Sequence, residues 1–195
     1  MITLNLKKSL IAASFLGCSI FSLSLCAQDG DRHTDLIENS QESLRKMTDK
    51  TPALKTYLDE SYGYVVFPKI TKAGIGVGGA TGKGTVFQGH EVVGTSRLKQ
   101  ASFGLQLGGQ QYSEVILFKD EKSFQRFKNG NLKFDAQATA VALKKGAALD
   151  ASYYKGVVVF TMVNGGLMYE ASIGGQHFSY ESIAGAETAE TSSAQ

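Results

Sequence analysis

The sequence lacks tryptophan and is poor in cysteine and proline, with two of each in 195 residues. Both cysteines, Cys18 and Cys26, lie in an N-terminal segment that has the features of a leader. The domain that follows has no thiol for a disulfide framework or a cysteine metal site. The histidines are far apart in the sequence and have no paired carboxylates nearby, so neither a metal site nor a cofactor is predicted: they are His33, His90 and His177.

An excess of charge of either sign is also missing. The leader contains two of the 20 basic residues, Lys7 and Lys8, and none of the 18 acidic ones, so the rest of the chain is formally neutral. A protein that binds nucleic acid through its phosphates needs a basic surface. Nucleic acid is therefore not among the predicted partners.

Motifs that would indicate an enzyme are incomplete. Residues 74–79 satisfy the dinucleotide pattern G-x-G-x-x-G, but that pattern requires a helix to open at its last glycine, and more glycines and strand-type residues follow here. The serines form no G-x-S-x-G elbow. Glu114 is the most conspicuous acid because it precedes an apolar run, and we expect it to be an edge or buried acid paired with a lysine. We predict that the protein is not an enzyme.

The N-terminal segment has the pattern of a signal peptide. Lys7 and Lys8 precede an uncharged stretch, residues 9–27, that contains apolar clusters and five serines. We predict cleavage after Ala27, so that residues 1–27 are the signal peptide. Two alternatives are a lipoprotein acylated at Cys26 and an uncleaved anchor, although the serines make the stretch marginal as a permanent span. Each alternative exports the protein to the periplasm or the cell envelope.

The rest of the chain reads as one domain, residues 35–182, between a short tether, residues 28–34, and a disordered tail, residues 183–195. Apolar residues at helical spacing predict a helix from Asp35, and Thr51 with Pro52 predicts the start of a second. Asp120 is a predicted N-cap of a mid-chain helix that Gly130 closes in the left-handed conformation.

Short apolar runs and alternating patterns predict the strands of a sheet. The run 115–118 fits a central strand buried on both faces, while residues 102–107 and 136–142 alternate with the period of a half-buried strand. Further strands are predicted at residues 63–68, 157–160 and 173–180. The predicted fold is α+β, with a curved, mainly antiparallel sheet, N-terminal helices and one mid-chain helix.

Three lysines flank the first strand and the glycine-rich segment: Lys69, Lys72 and Lys83. Successive glycine N–H groups beside ammonium groups can bind a phosphate. Lysines in such turns are also commonly solvated and without function. The residues alone leave both interpretations open.

An ordered set of motifs resembles the SYLF domain family. The set begins with G-Y-V-V-F-P-K-I-T-K-A-G-I-G-V-G-G at residue 63, continues through residues 100–110 and 113–118, and ends with G-G-L-M at residue 165. The resemblance extends from Asp35 to about Tyr180. It implies a lipid-binding domain, and eukaryotic relatives bind phosphoinositide membranes and, in fungi, actin.

The resemblance also implies where a lipid would bind. Lys69 and Lys72 align with the family's V-F-P-x-x-x-K stretch, and Lys83 joins them by proximity in the sequence. For an exported bacterial member, the transferable ligand is an anionic phospholipid headgroup. The alternative is a structural or protein-interaction module of the envelope, without direct lipid binding and with an envelope protein as its partner.

Overall fold

The computed structural model describes residues 21–134, 139–142, 151–165 and 171–183. The chain divides into two compact units, residues 1–35 and residues 36–195. Apart from the start of the first helix, every described element belongs to the second unit. Residues 135–138, which open the predicted alanine-rich strand, and residues 184–195 of the predicted tail lie outside the described residues.

Three helices are described: α1 (Phe21–Lys50), α2 (Leu54–Glu60) and α3 (Glu121–Lys128). α1 is already helical through residues 28–34, where the composition predicts a tether. None of the three is long and apolar enough to cross a membrane. The predicted cap of α2 at Thr51 is wrong, because the Thr51 N–H still bonds to the Met47 carbonyl and α2 begins only after Ala53.

Six strands are described: β1 (Gly63–Gln88), β2 (Glu91–Phe118), β3 (Thr139–Ala142), β4 (Val157–Gly165), β5 (Ala171–Ser172) and β6 (Gln176–Ser182). They form the order β1-β2-β4-β3-β5, and β6 pairs with another part of β2. All pairings are antiparallel except that of β3 with β4. The predicted α+β class with a mainly antiparallel sheet is therefore confirmed. The run 115–118 lies at its centre, fully buried between β1 and β4.

The long hairpin of β1 and β2 bends back on itself. The Gly89 N–H at its tip bonds to the carbonyl of Tyr62 at its base, at 3.3 Å. A Cβ atom at Gly84 would lie 2.7 Å from the Val66 carbonyl oxygen, so the two halves of β1 touch at a distance that only glycine allows. The glycines that match the dinucleotide pattern lie within β1, where strand and no helix follows them.

Each of the two faces of the sheet packs against its own layer of apolar side chains. α1 and α2 cover one face through Met47 and Leu54, which meet side chains such as Val66, Val115 and Phe160. The inner face, enclosed by the bend and by α3 and β6, packs Phe67, Ile116 and Phe118 with residues that include Phe124, Phe127 and Phe178. Successive residues of β2 therefore point alternately to the helical layer and to the inner layer.

α3 follows the sequence prediction closely. The Asp120 carboxylate accepts a hydrogen bond from the Ser123 N–H at 2.8 Å, and Ser123 completes a capping box. Gly130 has a φ angle of +69°, which ends the helix in the left-handed region. Phe124 and Phe127 are fully buried and hold α3 against the inner layer.

Candidate functional site: a lysine-lined cleft beside α1

A cleft of about 730 Å³ lies between α1 and the sheet, where β1, β2 and β4 meet. The α1 side contributes apolar, amide, hydroxyl and charged groups, and the sheet side contributes two lysines and a polar floor. The lining residues are Leu36, Asn39, Glu42, Ser43, Lys46, Pro68, Lys69, Lys83, Gln111, Ser113, Met162, Val163 and Asn164.

A buried serine fixes α1 over both halves of β1. The Ser40 hydroxyl lies 3.4 Å from the Val66 carbonyl and 2.9 Å from the Thr85 hydroxyl. Thr85 in turn donates to the Leu36 carbonyl at 3.4 Å. Because Val66 and Thr85 belong to opposite halves of the bent strand, this contact holds the helix across the point where the halves meet.

The floor of the cleft is a small hydrogen-bonded network of two side chains and one backbone carbonyl on three strands. The regular pairing of β1 with β2 is interrupted between Phe67 and Ile70, and the carbonyl of Pro68 in this interval accepts a hydrogen bond from the Ser113 hydroxyl at 2.8 Å. Asn164 of β4 donates to Ser113 at 2.7 Å and to Pro68 at 3.3 Å. The network ties β1, β2 and β4 together in the cleft that the lysines also line.

Lys69 and Lys83, separated by 14 positions in the chain, line the same cleft. The fold-back explains this proximity, because a Cβ atom at Gly82 would lie 3.0 Å from the Lys69 carbonyl oxygen. Both side chains are exposed, and neither forms an ion pair with any residue that the structure describes. The side chains of Lys69 and Lys83 therefore line the cleft without an ion-pair partner among the described residues.

α1 adds a third ammonium group and one carboxylate. Lys46 lies 3.3 Å from Glu42, and Glu42 also pairs with Arg45 at 2.8 Å. The hydrogen bonds from Arg45 and then from Lys46 lower the pKa of Glu42. The carboxylate is thus already shared between two cations, which leaves the cleft with a surplus of positive charge.

Lys72 does not join this group. It lies opposite Gln110 in the β1–β2 pairing, is half-buried and does not line the cleft. Burial lowers the pKa of its ammonium group. The structure therefore brings together Lys69 and Lys83 of the three predicted lipid-contacting lysines, and places Lys72 elsewhere on β1.

Of the cleft residues that were not predicted, four contribute charge or polar groups that bear on binding. Lys46, Ser113 and Asn164 contribute a charge and the polar floor, and Ser43 has a buried hydroxyl without a partner in the described part of the chain. Only Lys46 carried a signal in the sequence, as a cation on the polar face of the predicted helix. The side chain of Cys26, the predicted acylation site, lies outside those described.

Neither Glu114 nor any of the described histidines lines the cleft. Glu114 lies on the inner face of β2, fully buried, and bonds to Gln176 rather than to the lysine expected from the sequence. Within the described residues, no group of three or more His, Cys, Asp or Glu side chains could hold a metal ion.

Comparison with known proteins connects this domain to a family. Residues 99–186 match the family model described as "Ysc84: Las17-binding protein actin regulator". Over 145 residues the chain is 28% identical to Beta cell expansion factor A of Aeromonas veronii, a match that covers 70% of this chain and 52% of that protein. The chain thus spans about half the length of this curated relative. The Ysc84 model represents the SYLF domain, so the resemblance indicated by the sequence motifs is confirmed over residues 99–186.

Proposed function

We propose that this protein is an exported, non-enzymatic domain that binds anionic phospholipid headgroups at a membrane surface. The match of residues 99–186 to the Ysc84 (SYLF) family model supports a lipid-binding or actin-regulator-type role as the general class. The anionic headgroup, the export and the periplasmic or envelope location are the finer parts of the proposal. They rest on the lysines of the cleft and on the signal-peptide pattern of residues 1–27.

The observation that carries the proposal is the convergence of Lys69 and Lys83 in one cleft. Their ammonium groups form no ion pair with any described residue, and Lys46 reaches the same cleft from α1. A phosphate group that entered would gain charge-assisted hydrogen bonds, and it would compete with Glu42 for Lys46. Attraction of this kind is screened by salt, since the Debye length is about 8 Å at physiological ionic strength.

The cleft suits a headgroup better than an acyl chain. Its lining is mixed, with three lysines and several amide and hydroxyl groups beside a few apolar side chains such as Leu36 and Met162. The protein would therefore associate peripherally, through charge. Without acylation at Cys26 this association should be weak and reversible, because stable anchoring to a membrane normally takes two signals.

The matched family's description favours one alternative. It names a Las17-binding protein and actin regulator, which points to a protein partner. In this alternative the same domain is a structural or interaction module of the envelope, and the lysines of the cleft contact acidic side chains of a partner protein. The alternative predicts no affinity for protein-free vesicles.

Co-flotation with liposomes tests the proposal. The purified protein is mixed with vesicles of graded anionic phospholipid content at low and at physiological salt, beside a triple variant with Lys69, Lys72 and Lys83 changed to alanine. We expect binding that rises with anionic content, falls with salt and disappears in the triple variant. A matched control replaces two exposed lysines outside the cleft, Lys55 and Lys133, and should float like the wild type.

The outcomes separate the two functions. Absence of flotation at every composition would exclude direct lipid recognition and leave the protein-interaction function as the better account. Equal binding to neutral and anionic vesicles would contradict recognition of the headgroup charge.

A further inference from the structure

Glu114 is a carboxyl group enclosed in the inner apolar layer. Its side chain is fully buried, and its partners in the neighbouring strands are Phe67 of β1 and Thr161 of β4. On β2 itself the same face carries Tyr112 and Ile116. A charged carboxylate in such surroundings is costly unless a cation or several hydrogen-bond donors compensate for the lost water.

Within the part of the chain that the structure describes, one donor contacts this carboxyl group. Gln176 of β6 donates from Nε2 to Oε2 of Glu114 at 3.2 Å. Two atoms of the same pair, Oε1 of Glu114 and Oε1 of Gln176, are buried and have no hydrogen-bond partner among the described residues. Both are acceptors when the carboxyl group is ionised, and an unpartnered buried acceptor is unfavourable.

A single proton on the carboxyl group would give both unpartnered oxygens a hydrogen bond. A protonated carboxyl group and a primary carboxamide are complementary, because the acid donates O–H to the amide oxygen while it accepts N–H from the amide nitrogen. One of these two hydrogen bonds is present, and the two unpartnered oxygens are the atoms that would form the other. We propose that Glu114 is protonated in the folded protein and forms a cyclic acid–amide pair with Gln176, which acts as a proton-dependent latch for β6.

The groups that face Glu114 agree with this assignment. Of its described neighbours only Tyr112 is titratable, and none is a cation: Phe67 faces it from β1, Thr161 from β4 and Gln176 from β6. Burial raises the pKa of Glu114 to about 8, and the hydrogen bond from Gln176 opposes this only in part. Burial, followed by the proximity of Glu114, also raises the pKa of the Tyr112 phenol.

β6 is the element that the latch would hold. Of the described strands it pairs only with β2, so its first residue, Gln176, depends on side-chain contacts as well as on strand pairing. Gln100, which lies opposite Gln176, donates to the Gly174 carbonyl at 2.8 Å and fixes the preceding turn. Ionisation of Glu114 would remove one hydrogen bond and bury a charge at this end of β6.

The direction of the pH dependence follows from the raised pKa. The folded protein holds the Glu114 proton more tightly than the unfolded chain, whose glutamate pKa is near 4.5. The stabilisation is complete below that value and is lost as the pH rises toward 8. Between pH 6 and pH 9 this one group should raise the unfolding equilibrium constant by about two orders of magnitude.

Three measurements on the full-length protein test the latch. The first is the infrared carbonyl band of a protonated carboxylic acid, expected in the wild type at pH 7 and absent in Glu114→Gln. The second is the urea midpoint between pH 6 and pH 9, which should fall in the wild type and stay nearly level in Glu114→Gln, where an amide–amide pair preserves both hydrogen bonds. The exposed Glu91→Gln variant is the matched control and should behave like the wild type.

The third measurement is hydrogen exchange of the β6 amides at pH 9, compared between wild type and Glu114→Gln at the same pH so that the chemical exchange rate cancels. We expect faster exchange in the wild type, and fast exchange already at pH 6 in Gln176→Leu, which lacks the amide. The proposal is overturned if the infrared band is missing from the wild type, or if Glu114→Gln keeps the pH dependence of the wild type. Neither outcome bears on lipid binding, since the latch does not depend on the ligand of the cleft.

Discussion

At the scale of single residues, one glycine has the clearest structural role. A Cβ atom at Gly84 would lie 2.7 Å from both the Val66 carbonyl oxygen and a ring carbon of Phe67, two parts of the fully buried β1 core. The contact that brings Lys83 beside Lys69 depends on the same close approach. Gly109, by contrast, has room, because its nearest neighbour would be the Lys72 carbonyl oxygen at 3.7 Å.

We predict that Gly84→Ala lowers the free energy of unfolding by about 1–3 kcal/mol, the usual cost of overpacking a well-packed site. Gly109→Ala is the matched control in the same hairpin and should change it by less than about 0.5 kcal/mol. Urea denaturation of both variants measures the difference. Equal stability of the two variants would show that the halves of β1 are not in contact in solution.

At the scale of the elements, α3 is held by a cap that depends on charge. The hydrogen bond from the Ser123 N–H to Asp120 lowers the pKa of this carboxyl group. Its stabilising contribution is therefore present above the pKa of the unfolded chain and is lost as the pH falls through the lower folded value. This dependence on pH is opposite in direction to that of Glu114.

We predict that Asp120→Ala costs about 0.5–2 kcal/mol of stability at neutral pH, the range measured for N-cap residues. Asp120→Asn, which keeps an acceptor, should cost less and should lose the acid-range pH dependence that the aspartate confers. Thermal unfolding at pH 3 and pH 7 compares the three proteins. An Asp120→Ala variant as stable as the wild type would contradict the role of the cap.

Some secondary-structure elements could be predicted from the sequence and others could not. Asp120 and Gly130 identify the ends of α3 because a cap and a left-handed terminus are local chemistry. The 115–118 run identifies the central strand because an uninterrupted apolar run needs burial on both faces. In the glycine-rich region the sequence predicted short separate strands, whereas the structure has one continuous β1. Glycine is common both in turns and where two strands come close together, so its presence did not indicate which of the two occurs here.

The candidate site was predictable only in part, because its residues come together through the fold-back and the strand register. Lys69 and Lys83 came from the family motif and from proximity in the sequence, and the fold-back brings them together. The exclusion of Lys72 and the inclusion of Asn164 depend on strand register, which the sequence leaves open. Glu114 and Gln176 are 62 positions apart, and nothing local to either residue indicates its partner.

At the scale of the whole molecule, function would rest on local rather than total charge. Beyond the leader the chain is formally neutral, yet the cleft gathers three lysines around one carboxylate that is already paired. A neutral protein with one cationic cleft should bind an anionic surface in a defined orientation and release it as salt increases.

The most direct test of the proposed site compares two variants by flotation on the same anionic liposomes at low salt. One is the Lys69→Ala/Lys83→Ala double variant and the other is Lys72→Ala. We predict that the double variant loses most of the binding, whereas Lys72→Ala retains most of it because Lys72 lies outside the cleft. The reverse result, with binding that survives the double variant and fails in Lys72→Ala, would contradict the assignment of the cleft as the lipid site.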